Sequence, residues 1–184
     1  GQDQAAERLW QECYAYFHRI GDPVGAAFTL DNLGYIEVAV HANPQAATAL
    51  CLQSLQLLRR TGLPALEAGA LCSLGEIALM TDDLSSAYEH LAASLRIAVE
   101  YNLAGELIST GAWLAVTLLR LGRQCTPAAR YLRAALGTPL LEHEIRRRLQ
   151  AASSQLPQWT ENEGSADAVG GSEQFDWVHA AAAL

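Results

Sequence analysis

Five histidines, four cysteines and twenty carboxylates are the side chains of this chain with acid–base, nucleophilic or metal-binding chemistry open to them. Spacing decides whether they can use it. His18, His41, His90, His143 and His179 stand far apart, and none forms the His-x-x-x-His pair that sets two imidazoles on one helix face for zinc. No Cys or Ser lies in a recognisable nucleophile motif. Cys13, Cys51, Cys72 and Cys125 are dispersed, with no Cys-x-x-Cys pair, which fits reduced thiols in a cytoplasm better than a disulfide framework. Glu142-His143-Glu144 offers three ligand types in a row, but adjacent residues diverge around a helix axis. Gly164, Gly170 and Gly171 precede no Lys, so no phosphate loop is present. The chain is therefore expected to be no enzyme, with no cofactor and no metal site.

Charge and composition narrow the partners. The net charge is −8 and all twelve basic residues are Arg, a balance that argues against broad binding to nucleic acid or to an anionic membrane. Apolar runs are broken by Arg, Glu or Gly before they reach the length of a membrane span. The opening Gly1-Gln2-Asp3-Gln4 has neither the basic nor the apolar region of a signal peptide. Charged residues make up only 17%, which is low for an exposed bundle and predicts apolar surface covered by a partner or by a neighbouring segment.

The elements that would position any site are announced by repetition. Thr29 to Ile36 reads Thr-Leu-Asp-Asn-Leu-Gly-Tyr-Ile, and Ala70 to Ile77 reads Ala-Leu-Cys-Ser-Leu-Gly-Glu-Ile. A degenerate copy runs from Thr110 to Thr117. Leu33, Leu74 and Leu114 align at intervals of 41 and 40 residues, each followed by a small residue: Gly34, Gly75 and Ala115. A second series, Ala6, Ala47, Ala87 and Ala128, keeps the same interval. A period of this size marks stacked helical hairpins, with small residues where two helices approach closely.

Helix signals divide the period in two. Pro23 and Pro44 suit first helical turns, Asp82-Asp83 supplies an N-cap oxygen, and Gly21, Gly62 and Asn102 suit left-handed stops. The reading is all-α. A repeat array over 1–156 comprises a half unit at 3–21, helix pairs at 23–62, 63–102 and 103–136, and a capping helix at 139–155. Residues 157–184 form an irregular acidic tail, with a short terminal helix docking through Phe175, Trp177 and Val178.

These units, with Leu-Gly midway along the first helix and Ala early in the second, resemble tetratricopeptide repeats. Asp31-Asn32-Leu33-Gly34 and Ser94-Leu95 resemble the roughly forty-residue variant found in the sensor arms of LuxR-type and MalT-like bacterial regulators and related signalling ATPases. The resemblance implies a right-handed superhelix and a protein-interaction module, the signal-sensing or scaffolding arm of a larger regulator. A small-molecule sensor domain using the concave groove is the alternative, and an enzyme with an unrecognised site is a third possibility.

In such a stack the first helices line the groove. The inward set is Phe28, Asp31, Asn32, Tyr35 and Val38, then Cys72, Ser73, Glu76 and Leu79, then Ala112, Trp113, Val116 and Arg120. The mixture suits a peptide, a partner helix or a small ligand; Asp31 and Glu76 would repel a carboxylate and no Lys is present to hold one, so the expected occupant is an apolar or basic ligand. Seven Arg between Arg120 and Arg148 read as a solvated face, or as a dock for the acidic tail. The half unit predicts an exposed apolar face near Leu9, Trp10 and Cys13, through which copies of the chain would associate. Direct contact with nucleic acid or membrane is not expected.

Overall fold

The computed structural model describes residues 2–123, 125–156 and 177–184. Among these residues the chain is all-helical. The helices are α1 (Gln2–Ile20), α2 (Pro23–Ala39), α3 (Pro44–Arg59), α4 (Pro64–Met80), α5 (Leu84–Glu100), α6 (Ala104–Arg120), α7 (Cys125–Gly137), α8 (His143–Ser153) and α9 (Trp177–Ala182). No described helix is long and apolar enough to cross a membrane.

The connections are short and stereotyped. Gly21, Ala42, Gly62, Asp82, Asn102 and Gly122 all have positive φ, one in each turn from α1–α2 to α6–α7, at intervals of 20 or 21 residues. The left-handed residue lets the chain reverse while later N–H groups reach back to the carbonyls at the helix end. Thus Asp83 N–H bonds Ala78 O at 2.9 Å, Leu103 N–H bonds Ala98 O at 2.9 Å, and Arg123 N–H bonds Leu118 O at 2.8 Å. Several of the following helices then start on a side-chain or proline signal. Asp22 accepts from the N–H groups of Val24 and Gly25, Asn43 from Ala46, and Asp83 from Ser86. Pro64 starts α4 behind Leu63, which offers no capping oxygen.

The chain divides into two compact units, residues 1–90 and 91–184, with the division inside α5. In the first unit α1 packs on α2, α2 on α3 and α3 on α4, and α2 also meets α4. Its core holds Ala26, Ala27, Leu30, Ala47, Cys51, Leu55, Leu71 and Leu74. Helices α2 and α3 approach closely at Gly34: a Cβ there would sit 2.8 Å from Cys51 Sγ and 3.1 Å from Ala47 O. The aligned Gly75, on α4, is buried as well. Gly25 plays the same part for α1, since a methyl group on it would run into the Phe17 ring.

In the second unit α6 is the central helix. It packs on α7, and α8 and α9 rest against both. Residues Leu107, Ile108 and Thr110 through Leu118 are all buried, so α6 is enclosed on every side over two turns. Gly111 admits the ring of Tyr131 from α7, whose hydroxyl donates to Leu107 O. Ala115, aligned with Gly34, is fully buried. Ser94 and Thr110, both buried, pair their hydroxyls at 3.0 Å.

The end of the chain departs from expectation in detail. The capping helix expected from Pro139 begins only at His143, because Thr138 to Glu142 make a turn first. Arg146 holds that turn, donating to the carbonyls of Leu136, Thr138 and Leu141. The acidic stretch at 157–176, Phe175 included, lies outside the described residues. Of the docking residues expected for the terminal helix, Val178 is exposed, and Ala181 is the buried residue of α9.

Candidate functional site

The expected groove residues fall into two groups, one in each unit, and the structure treats them differently. Phe28, Asp31, Asn32 and Tyr35 lie on α2, with Cys72, Ser73 and Glu76 on α4. Helix α2 forms here because Asp22 and Pro23 start it, and Ala26, Ala27 and Leu30 bury one face against its neighbours. The opposite face carries Phe28 and Tyr35, seven residues apart and therefore two turns along one stripe. Phe28 is 60% exposed and Tyr35 36% exposed. Trp10 from α1 sets its ring edge-on to Phe28 with centroids 5.7 Å apart, so an aromatic pair spans the α1–α2 seam. Asn32 folds its amide back, Nδ2 donating to Phe28 O at 2.8 Å.

Asp31 behaves otherwise. It points between helices, towards Cys51 and Ser54 on α3 and Ser73 on α4. Ser73 Oγ donates to Asp31 Oδ2 at 3.5 Å, with Gly69 O at 3.3 Å as its other acceptor. Asp31 Oδ1 and Ser54 Oγ are enclosed, and neither completes a well-formed hydrogen bond. Burial pushes the Asp31 carboxyl up to about 6, while Ser54, Cys51 and Ser73 hold it down by a smaller amount. Burial also drives the Cys51 thiol far above its ordinary range, helped by the charges of Asp31 and Glu76. Cys51 is therefore an inert packing thiol. Cys13, Cys51 and Cys72 are all unbridged, and Cys72 is buried.

This places Asp31 at a three-helix junction, with only its flanks near the surface. The chemistry available is a carboxyl that changes charge near pH 6 beside two hydroxyls and a thiol. A ligand touching Oδ1 would first have to displace Ser54 or Cys51. Sequence spacing gave Asp31 its angular position on α2 but no sign of Ser54 and Cys51. Their own interval (47, 51 and 54 along α3) is the signal that marks the face turned to α2.

In the second unit the expected groove residues are mostly buried. Trp113 and Val116 are buried in α6, and only Arg120 reaches solvent. A tryptophan among ten other buried α6 residues is part of the packing, which corrects its expected place on a groove wall. The arginine-rich region is likewise put to structural use in part: Arg146 closes α7, and Arg147 pairs with Glu144 at 2.7 Å on the surface. On α1, Leu9 is 60% exposed as expected, and Tyr16 and Ile20 join it. Trp10 and Cys13 are half-buried.

No protein-family model matches the chain, and no curated protein and no solved structure matches it.

Proposed function

We propose that this chain is a protein-interaction module of the tetratricopeptide type, the sensing or scaffolding arm of a larger bacterial regulator. The observation that carries the reading is the solvent-facing aromatic stripe of α2, Phe28 and Tyr35, abutted by Trp10. Exposed aromatics grouped on one helix face, rather than scattered singly, are what a partner surface uses to anchor a peptide. The helical period and the sequential packing of neighbouring helices support the repeat assignment. The occupant is an apolar peptide segment carrying Arg or Lys, drawn by a chain of net charge −8 that has Glu76 on the neighbouring helix α4.

The test is selection of peptides from a random display library on the intact chain, followed by measurement of affinity. Enrichment of sequences combining aromatic or aliphatic anchors with Arg or Lys is expected. Replacing Phe28 and Tyr35 together by Ser should weaken the selected peptides about tenfold or more, since central anchors carry most of an interface's energy. Selection of acidic peptides, or affinity indifferent to both substitutions, would overturn the reading.

Self-association through α1 is a companion proposal, motivated by the exposed Leu9, Tyr16 and Ile20. Sedimentation over a concentration series tests it. A strictly monomeric chain would remove it without touching the α2 surface.

A further inference from the structure

We propose that Glu7, Glu37 and His41 form a binding site for a divalent transition-metal ion, with Zn2+ the best match. One ligand atom from each lies within 4.8 Å of the other two. Glu7 comes from the N-terminal half of α1, Glu37 from the last turn of α2, and His41 from the turn just beyond. The three therefore converge at the open end of the α1–α2 hairpin, opposite the Gly21-Asp22 turn. Glu7 lies 30 and 34 residues before the other two, so no local motif announces the full triad.

Several features fit an ion. His41 Nε2 and Glu7 Oε2 are 3.2 Å apart. Two ligands about 2.0 Å from a tetrahedral zinc are separated by about 3.3 Å, so the existing pair already has the length of one edge of a coordination shell. Glu37 and His41 are four residues apart, and the backbone holds them in place. His41 N–H bonds Ile36 O at 3.4 Å, Asn43 N–H bonds Glu37 O at 2.8 Å, and Ala42 between them takes the left-handed conformation. Outside the triad, Gln11 Nε2 donates to Glu7 Oε1 at 3.2 Å, which orients the carboxylate so that Oε2 faces the imidazole.

The donor set chooses the ion. One imidazole with two carboxylates suits zinc and its first-row neighbours. Mg2+ and Ca2+ prefer oxygen-only shells with more ligands than three side chains offer. With three protein ligands the shell keeps a position for water. The ion's role is mechanical, because it would fasten α1 to the end of α2 and close a long loop between Glu7 and His41.

Isothermal titration of the untagged, EDTA-treated full chain with ZnSO4 at pH 7 tests the site. One equivalent is expected to bind, with a rise in thermal midpoint. Glu37→Gln and His41→Ala should each weaken binding by about tenfold or more and abolish that rise. Glu12→Gln, an exposed carboxylate on α1, should leave both unchanged. Co2+ in place of Zn2+ should give visible absorption bands that the two variants lose. Absence of binding, binding unaffected by Glu37→Gln, or binding lost only with Cys13→Ser would each overturn the proposal. The contact would then be an ordinary Glu7–His41 hydrogen bond.

Discussion

Asp31 on α2 and Ser73 on α4 face each other across two first helices of successive pairs, with Ser73 Oγ 3.5 Å from Asp31 Oδ2. The contact is long, and it is the weaker of the two that Ser73 makes. It nonetheless ties a buried carboxyl to a helix one repeat away, and that carboxyl does not keep its charge at ordinary strength.

The pH dependence follows from that burial. Asp31 titrates at about 6 in the folded chain against 3.8 when exposed, so the folded state holds its proton more tightly. Its contribution to stability is complete below about pH 4 and is lost as pH rises through 6, amounting to about 3 kcal/mol. Once protonated, the carboxyl has an O–H to donate, and Ser54 Oγ is the acceptor beside it. Urea unfolding of wild type and Asp31→Asn at a series of pH values isolates the effect. The variant should gain on wild type between pH 4 and 7. Parallel curves would place Asp31 in water.

Two helical glycines should respond in opposite directions to the same substitution. Gly34→Ala pushes a methyl group against Cys51 Sγ and the Ala47 carbonyl and should cost about 1–2 kcal/mol. Gly69→Ala meets open space within α4 and should stabilise by about 0.5–1 kcal/mol through helix propensity alone. Thermal midpoints moving in the same direction would contradict the close approach at Gly34.

How much of this was legible follows from which interactions are local. The Leu-Gly phrase and the Ala series report neighbouring helices at a fixed interval, so helix number and order could be read from them. Gly21, Gly62 and Asn102 could be read as left-handed stops because their side chains favour that conformation. Ala42 could not, since alanine has no preference for positive φ and is held there by the bonds around it. Gly111 resembled any helical glycine until Tyr131 supplied the ring that needs its space. Trp113 looked like groove lining because spacing gives a residue's angular position but not what covers it. Asp31 could be placed on a stripe, yet its environment depends on Cys51 and Ser54, one helix away.

Tyr131 offers a prediction in the second unit. Its hydroxyl is buried and donates to Leu107 O, and burial pushes its ionisation well above the ordinary range. Tyr131→Phe should keep the ring in the Gly111 notch and lose about 1 kcal/mol. Tyr131→Ala empties the notch and should lose about 3–5 kcal/mol. Chemical denaturation gives both values, and equal losses would mean that the ring contributes nothing beyond its hydroxyl.

Arg146 and Arg147 are adjacent and should differ. Arg146 serves three carbonyls at the end of α7, so Arg146→Ala should destabilise by about 1.5–3 kcal/mol. Arg147 pairs with Glu144 on the exposed surface, and Arg147→Ala should leave the unfolding midpoint close to where it was. Equal effects would show that the α7 end is closed by other means.

The twenty-residue cadence of positive-φ turns makes this chain unequally tolerant of change. Substitutions at most positions alter one side chain, but a single inserted or deleted residue inside a helix turns everything beyond it by about 100°. The apolar stripe would then face water until the next reversal. Gains and losses of length should therefore be most disruptive inside the helices and least so at the turns between them.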